Sequence, residues 1–261
     1  MMTLPARPAR PACRARRTTV SAAALAVVAV GLSVLSGCKG SPSAAGAPAS
    51  ASSPSAASSA SAAPVAGAFE PEQALAEAEK TPYAASIKAV TEAAGQELST
   101  MTGRSNLGTL FTGRAEIRST GLWMETVTTA DANYVRNRTQ QGSGWVKTPR
   151  SPDNEANYAG YAKLLLAAGP SAKKGMETRG GVPAYHLAGH LALDQVASID
   201  PRTHRSMTAK GVTGFDIDQW IDSQGRTVRF EQRMEMRGVQ AVNKVDFSEF
   251  GPVETFTAPQ G

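Results

Sequence analysis

Alternation of apolar and polar residues with a period of two is the main pattern in the second half of the chain. Residues 227–236 (TVRFEQRMEM) place apolar side chains on one side and charged side chains on the other, as a half-buried antiparallel strand does. Residues 214–222 (GFDIDQWID) alternate in the same way, and Ser223-Gln224-Gly225 supplies a tight connection between the two segments. The pattern therefore predicts a β-hairpin.

Weaker alternation predicts further strands around residues 84–101, within 112–129 and 132–146, around 185–191, and from 245 to a last strand through Val253 and Phe256. Residues 103–108 are predicted to form a turn or loop. Three segments have helical spacing instead: 69–80 with Pro71 near its start, 157–168, and 194–210 in pieces interrupted by Pro201. A few helices among many strands predict an α+β fold, with one antiparallel sheet whose apolar face the helices cover.

The first 37 residues are typical of an export signal. Five arginines and no acidic residue occupy residues 7–17, and residues 18–37 are uncharged and rich in alanine, valine and leucine. The apolar core, roughly 20–34, is shorter than the ~20 residues that cross a bilayer. We therefore expect a cleaved signal peptide over residues 1–37 rather than a permanent membrane span.

Leu35-Ser36-Gly37-Cys38 follows the apolar core and resembles the bacterial lipobox, in which the cysteine thiol receives diacylglycerol. The resemblance implies cleavage after Gly37 and acylation of Cys38, whose chains enter a membrane at ~0.8 kcal/mol per buried methylene. The other cysteine, Cys13, lies within the predicted signal peptide. After cleavage, then, no disulfide can form within the chain.

Residues 38–68 contain the predicted lipidated cysteine and a segment of Ser, Ala, Pro and Gly, interrupted only by Lys39 and Val65. Such a composition buries too little apolar surface to fold and predicts a disordered tether with a root-mean-square span of ~30 Å. Residues 69–261 are then expected to form the globular domain, anchored through Cys38 on the outer face of the cytoplasmic membrane. About 190 residues are enough to build a core without disulfides.

Charge narrows the class of partner. The chain has 27 Lys and Arg against 22 Asp and Glu, but the five arginines of residues 7–17 belong to the predicted signal. The remaining chain has 22 residues of each sign and is neutral. The sequence shows neither the clustered basic face of a nucleic-acid binder nor the polybasic patch that holds a domain on anionic lipid by charge. We therefore expect no nucleic-acid partner.

Short motifs at several positions resemble one lipoprotein family. They are the lipobox and its linker, Tyr134-Val135, residues 145–149 (WVKTP), residues 220–222 (WID) followed by Gly225 and Arg229, and the closing Phe250-Gly251 to Ala258-Pro259. Together these resemble the LppX/LprAFG lipoproteins of actinobacteria, which are similar in fold to the lipoprotein carrier LolA. The resemblance covers nearly all of residues 69–261 and implies a strongly curved antiparallel sheet, a half-barrel whose concave apolar side is covered by helices.

That resemblance implies a cavity for an acyl-chain lipid or glycolipid, which some family members carry. Methionines suit such a surface because thioethers adapt to irregular shapes. The candidate apolar-ligand face consists of Ile117, Leu122, Met124, Leu187, Leu191, Phe215, Ile217, Val228, Phe230, Met234 and Met236. Two alternatives stay open. The same residues could fill a core, and the domain could be a docking or sensing module for a membrane transporter, sensor kinase or cell-wall enzyme.

Catalytic and metal-binding patterns are not found in the sequence. His186 and His190 are four residues apart, but in a strand that spacing spans ~13 Å, too far for both to ligate one metal. Asp216, Asp218 and Asp222 do not follow a calcium-loop pattern and are expected to face solvent. With no nucleophile elbow and no phosphate-binding glycine loop, we expect a non-enzymatic protein without metal or cofactor.

Overall fold

The structure is a computed structural model that describes residues 69–108, 110–150 and 157–260. The predicted signal peptide, the lipobox Leu35-Ser36-Gly37, Cys38 and the linker lie outside the described residues. The expectations placed on those residues therefore stay predictions.

The described residues form one open antiparallel sheet of eleven strands. The strands are β1 Tyr83–Ala93, β2 Gln96–Leu107, β3 Thr112–Ser119, β4 Leu122–Thr128, β5 Ala132–Asn137, β6 Val146–Pro149, β7 Lys173–Arg179, β8 Val182–Ala192, β9 Gly214–Ile221, β10 Thr227–Met236 and β11 Val239–Gly251. Their order is β6-β5-β4-β3-β2-β1-β11-β10-β9-β8-β7. Two meanders thus meet at the pairing of β1 with β11, and β6 and β7 form the two edges.

Four short helices accompany the sheet in the described residues: α1 Pro71–Ala78, α2 Tyr158–Ala167, α3 Leu193–Val196 and α4 Pro201–Thr208. Local chemistry fixes where two of them begin. Asn157 caps α2 by accepting a hydrogen bond from the Gly160 amide at 2.8 Å. Asp200 caps α4 by accepting one from the Thr203 amide at 2.8 Å, and Pro201 occupies its first position. Within the described residues, every helix is too short or too polar to cross a bilayer.

One face of the sheet, here called the apolar face, carries the principal core. Its buried residues are Ile87, Ala89, Met101, Ile117, Met124, Leu187, Leu191, Phe215, Ile217, Phe230, Met234, Val245 and Phe247. Tyr161 and Leu165 of α2 belong to the same cluster, as do Leu75 of α1 and Val196 of α3. Residues of the helices therefore belong to the same core cluster as this face. The expected α+β class is confirmed.

The predicted hairpin of residues 214–236 is confirmed as β9 paired with β10. The predicted turn at 103–108 is wrong, because residues 103–107 continue β2 and Gly103 pairs with Ala115. A Cβ on Gly103 would stand 2.3 Å from the Arg114 carbonyl oxygen and 2.7 Å from the Ala115 Cβ. This glycine therefore serves a close approach of β2 and β3 rather than a turn.

Strand assignments also differ at the edge of the sheet and at the C-terminus. β7, with the sequence KKGMETR, was not predicted, because an exposed edge strand needs no apolar alternation. The strand expected through Val253 and Phe256 does not form, since β11 ends at Gly251. Two hydrogen bonds to Asn106 hold this C-terminal segment instead: the Glu254 amide donates to Oδ1 at 2.9 Å, and Nδ2 donates to the Glu254 carbonyl at 2.7 Å.

Candidate functional site

A cavity of about 430 Å³ lies at the end of the sheet where β2 turns into β3. Its walls come from the end of α1, the β2–β3 turn, the first turn of α2 and the segment between α3 and α4. The lining residues are Ala78, Glu79, Tyr83, Asn106, Leu107, Gly108, Phe111, Asn157, Tyr158, Ala159, Ser198, Ile199, Pro201, Gly225 and Thr227. Its volume falls in the range of small-molecule sites, about 300–1,000 Å³.

The inner wall of this cavity joins the apolar face of the sheet. Leu107 and Phe111 belong to the principal core cluster, and Tyr158 and Ile199 pack against it. The ring of Tyr158 meets those of Phe230 and Phe247 edge-on, with centroids 5.3 and 4.9 Å apart. Part of the wall of this space is therefore formed by the same apolar surface that forms the core.

Two tyrosines that line the cavity, Tyr83 and Tyr158, have raised pKa values. Burial, followed by the nearby Asp222 carboxylate, raises the pKa of Tyr83 to about 12. Burial also raises the pKa of Tyr158. Both hydroxyls therefore stay protonated at physiological pH.

Gln219 of β9 fixes the position of the first turn of α2. Its fully buried side chain donates from Nε2 to the Tyr158 carbonyl oxygen and to Thr227 Oγ1, both at 2.9 Å. The Oε1 atom finds no partner among the described residues. Because a buried amide is costly to leave unpaired, these bonds hold Tyr158 and Thr227 at the cavity wall.

Most of the candidate apolar-ligand face predicted from the sequence belongs to the principal core rather than to the cavity lining. Ten of its eleven residues belong to the principal core or pack against it: Ile117, Leu122, Met124, Leu187, Leu191, Phe215, Ile217, Phe230, Met234 and Met236. None of the ten lines the cavity directly. They form the apolar surface behind it.

Val228 is the one residue of the candidate apolar-ligand face that does not join the principal core. It packs with Trp220 and Ala184 in a small cluster separate from the principal core. The register of β10 on β9 shifts between Thr227 and Arg229, where a bulge inserts one residue. A one-residue insertion reverses the side of every preceding side chain, which alternation in the sequence cannot reveal.

The residues that line the cavity were missed by the sequence analysis. Leu107 falls in the segment predicted to be a turn, and Phe111 just after it. Tyr158 lies in the segment 157–168, which was noted only for its helical spacing, and Ile199 lies between two short helices. The one sequence signal available was the pair of tyrosines at the start of a predicted helix.

The histidines bind carboxylates on neighbouring strands. His186 Nδ1 lies 2.8 Å from Glu177 Oε1 and its Nε2 lies 2.7 Å from Asp218 Oδ1. The imidazole also stacks on Trp220 with centroids 4.4 Å apart. His190 pairs with Asp216 at 2.9 Å. Among the described residues, no group of three or more His, Cys, Asp or Glu is placed to hold a metal ion.

The sequence analysis expected Asp222 to face solvent, and this expectation is wrong. Asp222 is buried, and its carboxylate accepts hydrogen bonds from the amides of Gln224 and Arg226 at 2.9 and 3.0 Å. Arg226 Nε donates to it as well, at 2.7 Å. The residue therefore organises the turn between β9 and β10.

No protein-family model and no curated protein matches the chain. Among solved structures it is similar to LprF from Mycobacterium bovis, at 13% identity over 75% of this chain and 100% of that one, with a TM-score of 0.48. It is also similar to lipoprotein LppX from Mycobacterium tuberculosis, at 14% identity over 70% and 98%, with a TM-score of 0.41. A LolA superfamily protein from Nitrosomonas europaea matches at 13% identity over 72% and 95%, with a TM-score of 0.26. These are the groups that the sequence motifs resemble.

Proposed function

We propose that this chain is a non-catalytic cell-envelope lipoprotein, anchored through Cys38, which binds an acyl-chain lipid or another apolar ligand. The observation that carries the proposal is the 430 Å³ cavity whose wall is part of the principal core. Apolar area removed from water there contributes about 25 cal/mol per Å². An apolar chain entering beside Leu107, Phe111 and Ile199 would complete a surface that the protein's own side chains leave open.

The mixture of polar and apolar residues in the cavity lining supports an amphipathic ligand in particular. Polar residues, among them Asn106, Asn157 and Thr227, line the cavity beside its apolar residues. A lipid has the same division, with a polar head and an apolar chain. The ligand would then sit with its chain toward the sheet and its head among these groups.

We also propose that the sheet is strongly curved, as a half-barrel with the helices over its concave side. The support is the absence of Cβ atoms where β2 and β3 approach most closely. A Cβ on Gly113 would stand 2.3 Å from Ser105 Oγ, and the Gly103 clash is equally short. Closing the apolar side in this way would deepen the space at the cavity. An experimental structure with a flat sheet would contradict this part of the proposal.

Native mass spectrometry with solvent extraction tests ligand binding. The chain from Lys39 onward, purified from an actinobacterial host, should carry a stoichiometric acyl-lipid adduct. Ala159→Trp should abolish it, because Ala159 lines the cavity and indole would fill the space. Ala167→Trp is the matched control, since Ala167 is an exposed residue at the end of the same helix.

An unliganded mass that takes up no added lipid would overturn the proposal and favour a docking or sensing module with a filled core. Loss of the adduct in both tryptophan variants would also count against the cavity as the binding site.

A further inference from the structure

The register of the sheet gathers cationic and aromatic residues on the face opposite the apolar face, across β2 to β6. One row of directly paired residues runs Arg104, Arg114, Val127, Tyr134 and Lys147. A second runs Thr102, Glu116, Glu125 and Arg136, and a third runs Thr100, Arg118 and Trp123. We call the surface formed by these three rows, with Arg138 and Trp145, the cationic face.

The carboxylates of the cationic face are matched by cations within it. Glu125 accepts from Arg136 Nε at 2.8 Å and lies 3.7 Å from Arg138. Glu116 pairs with Arg118 at 3.1 Å. Residues 96–150, which span these strands, contain seven Lys and Arg against four Asp and Glu. The excess charge of the region is therefore positive.

Two cations of the cationic face are not matched by a carboxylate of a described residue. Arg114 and Lys147 are exposed, and neither forms an ion pair with a described residue. Arg114 also stands directly opposite Arg104 in the ladder. Like charges paired in this way destabilise a sheet. Arg104 forms an ion pair with Glu254 at 2.6 Å. An external anion would therefore bind at Arg114, where it would reduce the repulsion between the two arginines.

Aromatic side chains lie among these cations. Arg118 and Arg138 stand over the ring of Trp123 at 4.4 and 5.1 Å from its centroid. Arg136 stands over Trp145 at 4.6 Å. Beside Arg114 and Trp145, a groove of about 400 Å³ crosses the strands. Tryptophan and tyrosine beside exposed cations are typical of surfaces that meet a membrane interface, where one end of the ring is wet and the other is not.

We propose that the cationic face docks on an anionic lipid bilayer, with lipid phosphates meeting Arg114 and Lys147. The surface extends over five strands, about 19 Å across at the ~4.8 Å spacing of neighbouring strands, as contact with a planar partner requires. Each cation near such a surface contributes about a 5-fold gain in affinity. Two or three of them alone give weak binding.

Weak binding is sufficient because, in the proposed function, a linker already holds the domain near the membrane. The composition of the thirty residues before the domain predicts a span of ~30 Å, and in the proposed function these residues follow the lipidated Cys38. A tether of that length keeps the face at a high effective concentration beside the membrane. Docking would then set the orientation of the domain rather than its attachment.

Vesicle cosedimentation tests the proposal with the chain from Lys39 onward, which lacks the acylated cysteine and contains every described element. Binding is expected to vesicles of 30% phosphatidylglycerol in phosphatidylcholine at low salt. It should be at least about tenfold weaker in 0.5 M salt, and absent with pure phosphatidylcholine. Arg114→Glu and Lys147→Glu should each lower the partition coefficient about 5-fold or more.

Lys174→Glu is the matched control. It makes the same charge change at an exposed residue of β7, the opposite edge of the sheet, and should leave vesicle binding unchanged. Ala159→Trp should also leave it unchanged, which separates surface docking from lipid uptake into the cavity. The test of docking therefore gives a result that does not depend on the proposed carrier function.

Three results would overturn the proposal: equal binding to neutral vesicles, insensitivity to salt, or an equal loss of binding in Lys174→Glu. A chain that ignores anionic vesicles but binds polyglutamate through Arg114 would overturn it too, and would assign the face to an acidic protein partner.

Discussion

Gly225 lies directly against the carbonyl of Ala74, so that a Cβ on Gly225 would stand 2.1 Å from that oxygen. The turn between β9 and β10 is thereby packed against the middle of α1. Both Gly225 and the end of α1 line the cavity. The position of this wall consequently depends on a residue that has no side chain.

Gly225→Ala is expected to displace α1 and to destabilise the domain by about 2 kcal/mol more than Gly238→Ala. Both glycines have positive φ, 74° and 80°, but nothing lies within 4 Å of a Cβ on Gly238. The pair therefore separates the steric clash from backbone strain. Urea unfolding of the two variants measures the difference, and equal midpoints would show that α1 does not depend on this contact.

Gly103→Ala should cost about 1–3 kcal/mol, because β2 and β3 must separate to accommodate the methyl group. Gly144→Ala is the control, since a Cβ there meets nothing within 4 Å and its φ is not positive. We expect Gly144→Ala to stay within about 0.5 kcal/mol of the parent. Thermal unfolding of both variants would decide, and a stable Gly103→Ala protein would argue against tight packing of these strands.

Acid should weaken the part of the sheet formed by β7, β8 and β9. Burial alone would raise the pKa of Asp218, but hydrogen bonds from Arg233 and His186 bring that pKa below its usual value. Hydrogen bonds from Trp220 and His186 lower the pKa of Glu177. A carboxyl whose pKa is lower in the folded state stabilises the fold above its ordinary pKa of about 4, and loses that contribution as the pH falls through the lowered value.

The free energy of unfolding, measured in urea between pH 7 and pH 3, should therefore fall less steeply for Asp218→Asn than for the parent chain. Asp216→Asn is the comparison, because Asp216 is exposed and its carboxylate pairs with His190. Identical pH profiles for Asp218→Asn and the parent would mean that the pair with Arg233 contributes nothing to stability.

Cys38→Ala should move the protein from the membrane fraction to the soluble fraction, because it removes the thiol that we propose to be acylated. Cys13→Ala should change nothing, since Cys13 lies within the predicted signal peptide. Fractionation of cells expressing each variant, followed by immunoblotting, gives the answer. A membrane pool unaffected by Cys38→Ala would refute acylation as the means of attachment.

Sequence patterns predicted those elements whose two sides differ most in polarity. The β9–β10 hairpin alternates strictly, and α2 concentrates its apolar residues within ten positions. β7 was missed because neither of its sides is buried. The direction of Val228 was missed because a single inserted residue changes it, and no local propensity marks that insertion.

The cavity and the cationic face could not be predicted, because both are assembled by register. Arg104, Arg114 and Lys147 are scattered over more than forty positions, and only the pairing of five strands brings them into one row. Beyond the predicted signal peptide, the sequence contains no polybasic segment, so the pattern of charges along the chain predicted no basic patch. Charge that is dispersed along the chain becomes a patch only after the strands align.

The central pairing of β1 with β11 decides when the domain can complete its fold. Ala84 of β1 pairs with Gly251 of β11. The pairing of β1 therefore cannot be completed before β11 has been synthesised. A chain that emerges from the ribosome with its N-terminus first holds β1 through β6 as a growing meander, with one side of β1 unpaired until the final residues appear. Closing contacts of such long sequence separation is slow, and an unpaired strand edge invites association with other chains. Conversely, a circular permutant that joins the two ends and opens the loop between β6 and α2 would form the central pair early, and should fold faster into the same sheet.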